Sequence, residues 1–216
     1  MLNFENLDKA IYPGVGKYDM PEILPVRADF NVSAFDWVPY DKAYKVQESD
    51  KKNTGLHFFI DDQFFICLWN RPSVYIEKLR KFGAVCSADF SMYTNTPRAV
   101  WIYNNYRRQW LARYWQENGV TVIPSIGWVD KDSFDWCFDG KPRHSVIAIS
   151  SLGTQEHRES KKLFAEGVEE TLKRLEPTQI LWYGKIPDQF IDLKNVVRVP
   201  TRWEQLRNGV LKKEEK

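Results

Sequence analysis

Three aspartates, Asp61, Asp62 and Asp89, are the residues in this chain best suited to hold a hard cation. Carboxylate oxygens and water are what magnesium takes. Two of these carboxylates, with their pKa values driven apart, would also serve as acid and base. The alternative is local: Asp61 or Asp62 caps the segment "QFFICLW" and Asp89 holds a turn, since Asp is a preferred capping residue.

A second group lies in "VIAISSLGT" (Val146–Thr154). Ser150, Ser151, Gly153 and Thr154 combine hydroxyls with backbone donors ahead of a helix, a setting that suits a phosphate. The patterns GxxxxGK[ST] and GxGxxG are absent. GxSxG is absent too, so a hydrolase nucleophile elbow is not indicated. The alternative is an ordinary loop rich in Ser and Thr. The segment "QEHRES" separates these residues from the next apolar stripe and lengthens the loop into a flap. Lys185 and Arg202 would neutralise charge on a phosphate, and Trp128 and Tyr183 complete the candidate binding set.

Other chemistry-bearing residues read as structural. His57 and His144 are placed near the amino ends of their strands, and only His157, in the flap, is positioned to assist a site. The stretch "RAVWIYNNYRRQWLARYWQENG" mixes aromatics with Arg98, Arg107, Arg108 and Arg113, a mixture that can stack on bases and contact phosphates. Its other reading is an amphipathic helix with rings toward the core and arginines toward water. Gly167 reads as a close-packing position.

The elements that must position these groups follow a rhythm. "GLHFFI", "AVCSADFS", "VTVIPSIGW", "HSVIAISS", "QILWYGK" and "NVVRVP" read as strands that are apolar on both faces. Between them lie "VYIEKLRKF", the long Arg/Trp helix with Thr96 as cap and Pro97 as first residue, and "ESKKLFAEGVEETLKRLEP". The last carries Phe164, Val168, Thr171, Leu172 and Leu175 on one stripe. The fold class is therefore α/β, a mostly parallel sheet of about six strands with helical crossovers, either an open sheet or an incomplete barrel. Such sheets gather functional groups at the carboxyl ends of their strands. Residues 1–54 read as an irregular N-terminal arm, 55–205 as the α/β domain and 206–216 as a polar tail.

Composition bounds the rest. Lys and Arg number 31 against 29 Asp and Glu, a balance that predicts no strong global attraction to nucleic acid. Cys67, Cys86 and Cys137 lie far apart, with no CxxC pair, and read as buried thiols of a reducing compartment. "MLNFENLDKAIYPG" has neither a basic nor an apolar leader region, and no apolar run approaches the ~20 residues of a membrane span. A soluble, cytoplasmic protein with no membrane partner is expected.

The ordered motifs "HFFIDDQFF", "VCSADFSMYTNTPRA", "NYRRQWLARYWQENGVTVIPSIGW", "SFDWCFDG", "VIAISSLGT" and "FAEGVEETLKRLEPTQILWYGK" resemble the domain-of-unknown-function family numbered 4417. The resemblance runs from about Gly55 to Lys185 and extends back through "GKYDMPEI". It implies a compact α/β domain of bacterial or phage origin and carries no catalytic residue, substrate or cofactor with it. The residues themselves point to binding of a phosphate-bearing ligand, a nucleotide or a nucleic-acid end, at the strand-end face. With magnesium on Asp61, Asp62 and Asp89, binding would extend to phosphoester hydrolysis. Two alternatives stand beside this. One is a non-enzymatic phage protein that docks on a host protein or sequesters a nucleotide. The other is a single-stranded nucleic-acid-binding module.

Overall fold

A computed structural model describes residues 12–207. Part of the N-terminal arm (1–11) and most of the polar tail (208–216) therefore lie outside the described residues. The chain opens with a small antiparallel ribbon, β1 (Gly14–Val15) and β2 (Met20–Pro21). It continues through β3 (Asp36–Pro39), β4 (Thr54–His57), the helices α1 (Ile66–Asn70) and α2 (Pro72–Leu79), and β5 (Ala84–Cys86). The long α3 (Arg98–Glu117) leads to β6 (Val122–Ile123) and β7 (Ser125–Ile126). Then come β8 (Val146–Ser150), α4 (Arg158–Leu175), β9 (Gln179–Tyr183), β10 (Val196–Val199) and α5 (Arg202–Arg207).

Two parallel four-stranded sheets result, ordered β3-β4-β5-β6 and β7-β8-β9-β10. The fold is α/β with open sheets, and no closed barrel forms among the described residues. Pro124 explains the division. "VTVIPSIGW" reads as one strand, but proline has no N–H to give a ladder. The run pairs with β5 before Pro124 and with β8 after it, where the Pro124 carbonyl accepts from Ala148 N–H at 2.9 Å. Ser87 and Ser125 bind the break together: Ser125 N–H donates to Ser87 Oγ at 2.8 Å and Ser125 Oγ to the Ser87 carbonyl at 3.0 Å.

The stretch read as an arm contributes a strand. β3 pairs in parallel with β4, Trp37 opposite Gly55. A Cβ at residue 55 would lie 2.6 Å from the Trp37 ring, so the bare glycine seats the indole. Helix α3 starts at Arg98, one residue later than its sequence suggests. Pro97 is the extended capping residue, and Thr96 donates its hydroxyl to the Tyr93 carbonyl at 2.8 Å instead of capping. Gly119, with φ +78°, follows the end of α3 in the left-handed conformation that helix stops favour. In α4 the expected stripe is buried at Phe164, Val168, Thr171 and Leu175.

Two apolar cores flank the sheets. One includes Phe58, Leu111 and Trp115; the other includes Ile149, Phe164, Val168 and Trp182. Cys86 and Cys137 are buried free thiols, whereas Cys67 is only partly buried. Among the described residues no helix is long and apolar enough to cross a membrane.

Candidate functional site

The strands run in parallel, so the loops after β4, β5, β7 and β8 collect at one end. They enclose a cavity of about 500 Å³, within the usual range for small-molecule sites. Asp61 and Phe59 enter it after β4, and Asp89, Ser91 and Tyr93 after β5. Gly127 and Trp128 follow β7, and Ser150, Leu152 and Gly153 come from the end of β8. Arg108 reaches it from α3.

The three aspartates take different tasks. Asp61 accepts a hydrogen bond from Gln63 N–H at 3.0 Å, capping the 3-10 turn over 62–64. Asp62 accepts from Ser91 N–H at 3.1 Å and from Ser91 Oγ–H at 2.8 Å, and it does not line the cavity. Asp89 accepts from Arg108 Nη2 at 2.7 Å. Loss of solvation raises the Asp89 pKa; the Arg108 charge opposes this and the Asp62 charge adds to it. Among the described residues no group of three or more His, Cys, Asp or Glu side chains is placed to hold a metal ion. Asp61 and Asp89 share the cavity wall, and Asp62 is drawn away by Ser91.

The Ser-rich loop also divides. Ser151 is buried and donates its hydroxyl to the Lys185 carbonyl at 2.7 Å. Thr154 donates to the Ser151 carbonyl at 2.9 Å. Ser150 and Gly153 line the cavity. The Ser150 oxygen accepts from Leu152 N–H at 3.2 Å. Gly153 has φ +73° and no atom within 4 Å of where a Cβ would stand. The loop caps itself and not α4, whose preceding residue His157 makes no side-chain capping bond.

Tyr183 lies one layer below the cavity, its ring stacked 5.3 Å from that of Phe59. His57 sits beside it, 4.8 Å between ring centroids. This histidine closes β4 instead of entering it, and it is buried with Nδ1 unpartnered among the described residues. Burial pushes its pKa down to about 3. Lys185 and Arg202 are exposed and lie outside the cavity lining.

The amphipathic reading of the long helix places its arginines toward water. Arg98 pairs with Asp132 at 2.9 Å and Arg113 with Glu117 at 3.0 Å, both partly or well exposed. Arg107 lies over the Phe90 ring at 3.8 Å. Arg108 instead faces inward and is 2% exposed. Its Nη2 also donates to the Phe90 carbonyl at 3.1 Å, while Nε and Nη1 have no partner among the described residues. Gly127 makes room for it, since a Cβ there would lie 3.1 Å from Nη1. The signal was present: Trp101, Asn105, Arg108, Ala112 and Trp115 recur at helical spacing and are all buried. Lys141, which no motif marked, is buried near this arginine with Nζ unpartnered among the described residues. Burial first, then the Arg108 charge, holds the Lys141 amine well below its ordinary pKa.

Two mycobacteriophage proteins are similar along most of this chain. The "Gene 1 protein" of Mycobacterium phage L5 is 36% identical over 199 residues, covering 89% of this chain and 83% of its own. The "Gene 1 protein" of Mycobacterium phage D29 is 33% identical over 203 residues, covering 92% of this chain and 73% of its own. No solved structure matches. The family described as "Domain of unknown function (DUF4417)" matches residues 12–199, a span that takes in every cavity-lining residue, and the chain belongs to that family.

Proposed function

We propose that the strand-end cavity binds a phosphate-bearing ligand, either a nucleotide or a nucleic-acid end. One observation carries this reading. Arg108 is a buried guanidinium in the cavity wall whose Nε and Nη1 have no partner among the described residues. Buried donors of a charged group are costly to leave unpaired, and an anionic oxygen is the acceptor they suit best. The hydroxyl of Ser150 and the open backbone at Gly153 line the same space.

Asp61 and Asp89 offer a route from binding to hydrolysis. Magnesium needs only one or two protein carboxylates when phosphate oxygens and water supply the rest. An ion between these carboxylates and the phosphate would polarise it for attack by water. The kinship with phage proteins, with Tyr93 and Leu152 exposed beside the cavity, favours a second reading, a protein-docking or nucleotide-sequestering role without turnover.

Calorimetric titration with nucleoside monophosphates, with and without magnesium, tests the first reading. Binding is expected to weaken about 10- to 100-fold in Arg108→Met, the range for a lost charge-assisted hydrogen bond. Ser150→Ala, which leaves the buried ion pair intact, is expected to weaken it by a smaller factor. Absence of binding by any phosphate ester would overturn the reading. Binding without magnesium-dependent release of phosphate would leave the sequestering role in place of hydrolysis.

A further inference from the structure

Trp128 is set against the cavity in a way that a phosphate site alone does not need. It follows β7 at the strand-end face and is only partly buried. Its indole lies directly on α4 at Gly167. A Cβ at that position would stand 2.0 Å from Cε2 and 2.5 Å from Cδ2, the two atoms shared by the fused rings. The glycine thus lets the indole lie against the helix backbone. Phe164 supports the same ring at 5.6 Å with a 35° tilt, and Phe134 meets it nearly edge-on at 6.4 Å and 70°. Three groups from two segments therefore fix the plane of a ring that still lines an open cavity. Phe59 and Phe90 supply further aromatic wall in the same cavity.

A fixed, part-exposed indole in the same cavity wall as a buried guanidinium, two of whose nitrogens lack a partner among the described residues, is chemically specific. The guanidinium selects an anion, and the indole selects a flat ring within reach of it. We infer that Trp128 is a stacking platform for a planar heteroaromatic ring, so that the ligand carries a nucleobase beside its phosphate and is not a simple phosphate ester. The inference rests on the anion-binding reading above and adds the class of group attached to the phosphate. Gly167 acts through Trp128 as a positioning residue and touches no ligand.

The test compares two probes in the full chain: ribose 5-phosphate, and a panel of the four common nucleoside 5′-monophosphates. The best nucleotide is expected to bind about ten- to a hundred-fold more tightly than ribose 5-phosphate, the usual worth of one base–aromatic stack. Trp128→Ala should erase that ratio by weakening nucleotide binding far more than ribose 5-phosphate binding. Gly167→Ala, which must push the indole aside, should reduce the ratio with every cavity-lining residue unsubstituted. Trp128→Phe, a flat ring that keeps the packing, should retain part of it and covers the case in which the alanine variant does not fold. Equal affinity for nucleotides and ribose 5-phosphate in the unaltered protein overturns the inference and leaves phosphate binding standing. So does an unchanged ratio in the Trp128 and Gly167 variants. Failure of both probes to bind removes the phosphate reading itself, and this inference with it.

Discussion

Arg108 and Asp89 pair at 2.7 Å with unequal shelter: the guanidinium is 2% exposed, whereas 26% of the Asp89 side chain still meets solvent. The asymmetry fixes which partner is costlier to lose. Without Asp89, a cation remains sealed beside Lys141 with, among the described residues, only the Phe90 carbonyl to accept from it. Without Arg108, the carboxylate keeps some water and can protonate. Asp89→Ala is expected to cost about 4–5 kcal/mol and Arg108→Met about 3 kcal/mol, opposite ends of the range for breaking a buried pair. Urea unfolding of the two variants decides it, and the reverse order would refute the account.

His57 makes the fold acid-sensitive. Its pKa is about 3 in the folded chain, against about 6.5 when unfolded. Between those values the unfolded chain holds a proton that the folded chain lacks, so stability falls as pH falls through that window. The slope approaches about 1.4 kcal/mol per pH unit. His57→Phe keeps a ring against Phe59 and Tyr183 and removes the titration. Urea midpoints of the two proteins should differ by a constant above pH 7 and diverge steadily below it. Parallel curves down to pH 4 would exclude His57 as the cause.

The sheet and the site were legible to different depths. Apolar runs announce β4, β5, β8, β9 and β10, and the stripe on α4 announces its buried face, because burial on two faces or one face leaves a period in the sequence. β3 leaves none. "DWVP" is short, ends in proline, and becomes a strand only because Gly55 on β4 admits Trp37. The division at Pro124 is legible in hindsight from its missing N–H. The strand-end rule groups Asp61, Asp89, Trp128, Ser150 and Gly153 in one place, and the structure does bring these five together. It could not show that Ser151 turns to the Lys185 carbonyl or Asp62 to Ser91, since those choices depend on atoms far away in the chain, nor that Thr154 turns back on the Ser151 carbonyl three residues before it. Arg108 was hidden by the expectation that arginines in a helix face water.

Lys141 should make stability rise with pH, the opposite of the usual lysine. Its amine is held well below its ordinary pKa by burial and by Arg108, with Cys137 and Asp89 acting the other way. From that depressed value up to about 10.5, the unfolded chain binds a proton that the folded chain does not. The penalty is largest at low pH and fades as pH climbs through the window. Buried tyrosines and thiols titrate in the opposite sense at alkaline pH, so the informative quantity is the difference between variants. Lys141→Met is expected to be more stable than the unaltered chain at pH 7, by an amount that shrinks toward pH 10. A difference that is flat across this range would show that Lys141 does not titrate as its burial implies.

Glu176 ends α4 in a conformation that its side chain resists. Its backbone is left-handed, φ +46° and ψ +56°, and its N–H donates to the Leu172 carbonyl at 3.1 Å. For a residue with a Cβ this geometry costs about 1–2 kcal/mol, which glycine does not incur. The carboxylate gains something in return by pairing with the Arg143 guanidinium, but both side chains are more than half exposed. A pair so exposed contributes at most about 1 kcal/mol. Glu176→Gly should therefore stabilise the fold by a net of about 1 kcal/mol, the difference between the middles of those two ranges. Raising the salt concentration should widen that gain, because salt screens the ion pair and leaves backbone strain untouched. Urea unfolding at low and high salt separates the terms, and a destabilised variant at high salt would show that the left-handed cap carries no strain.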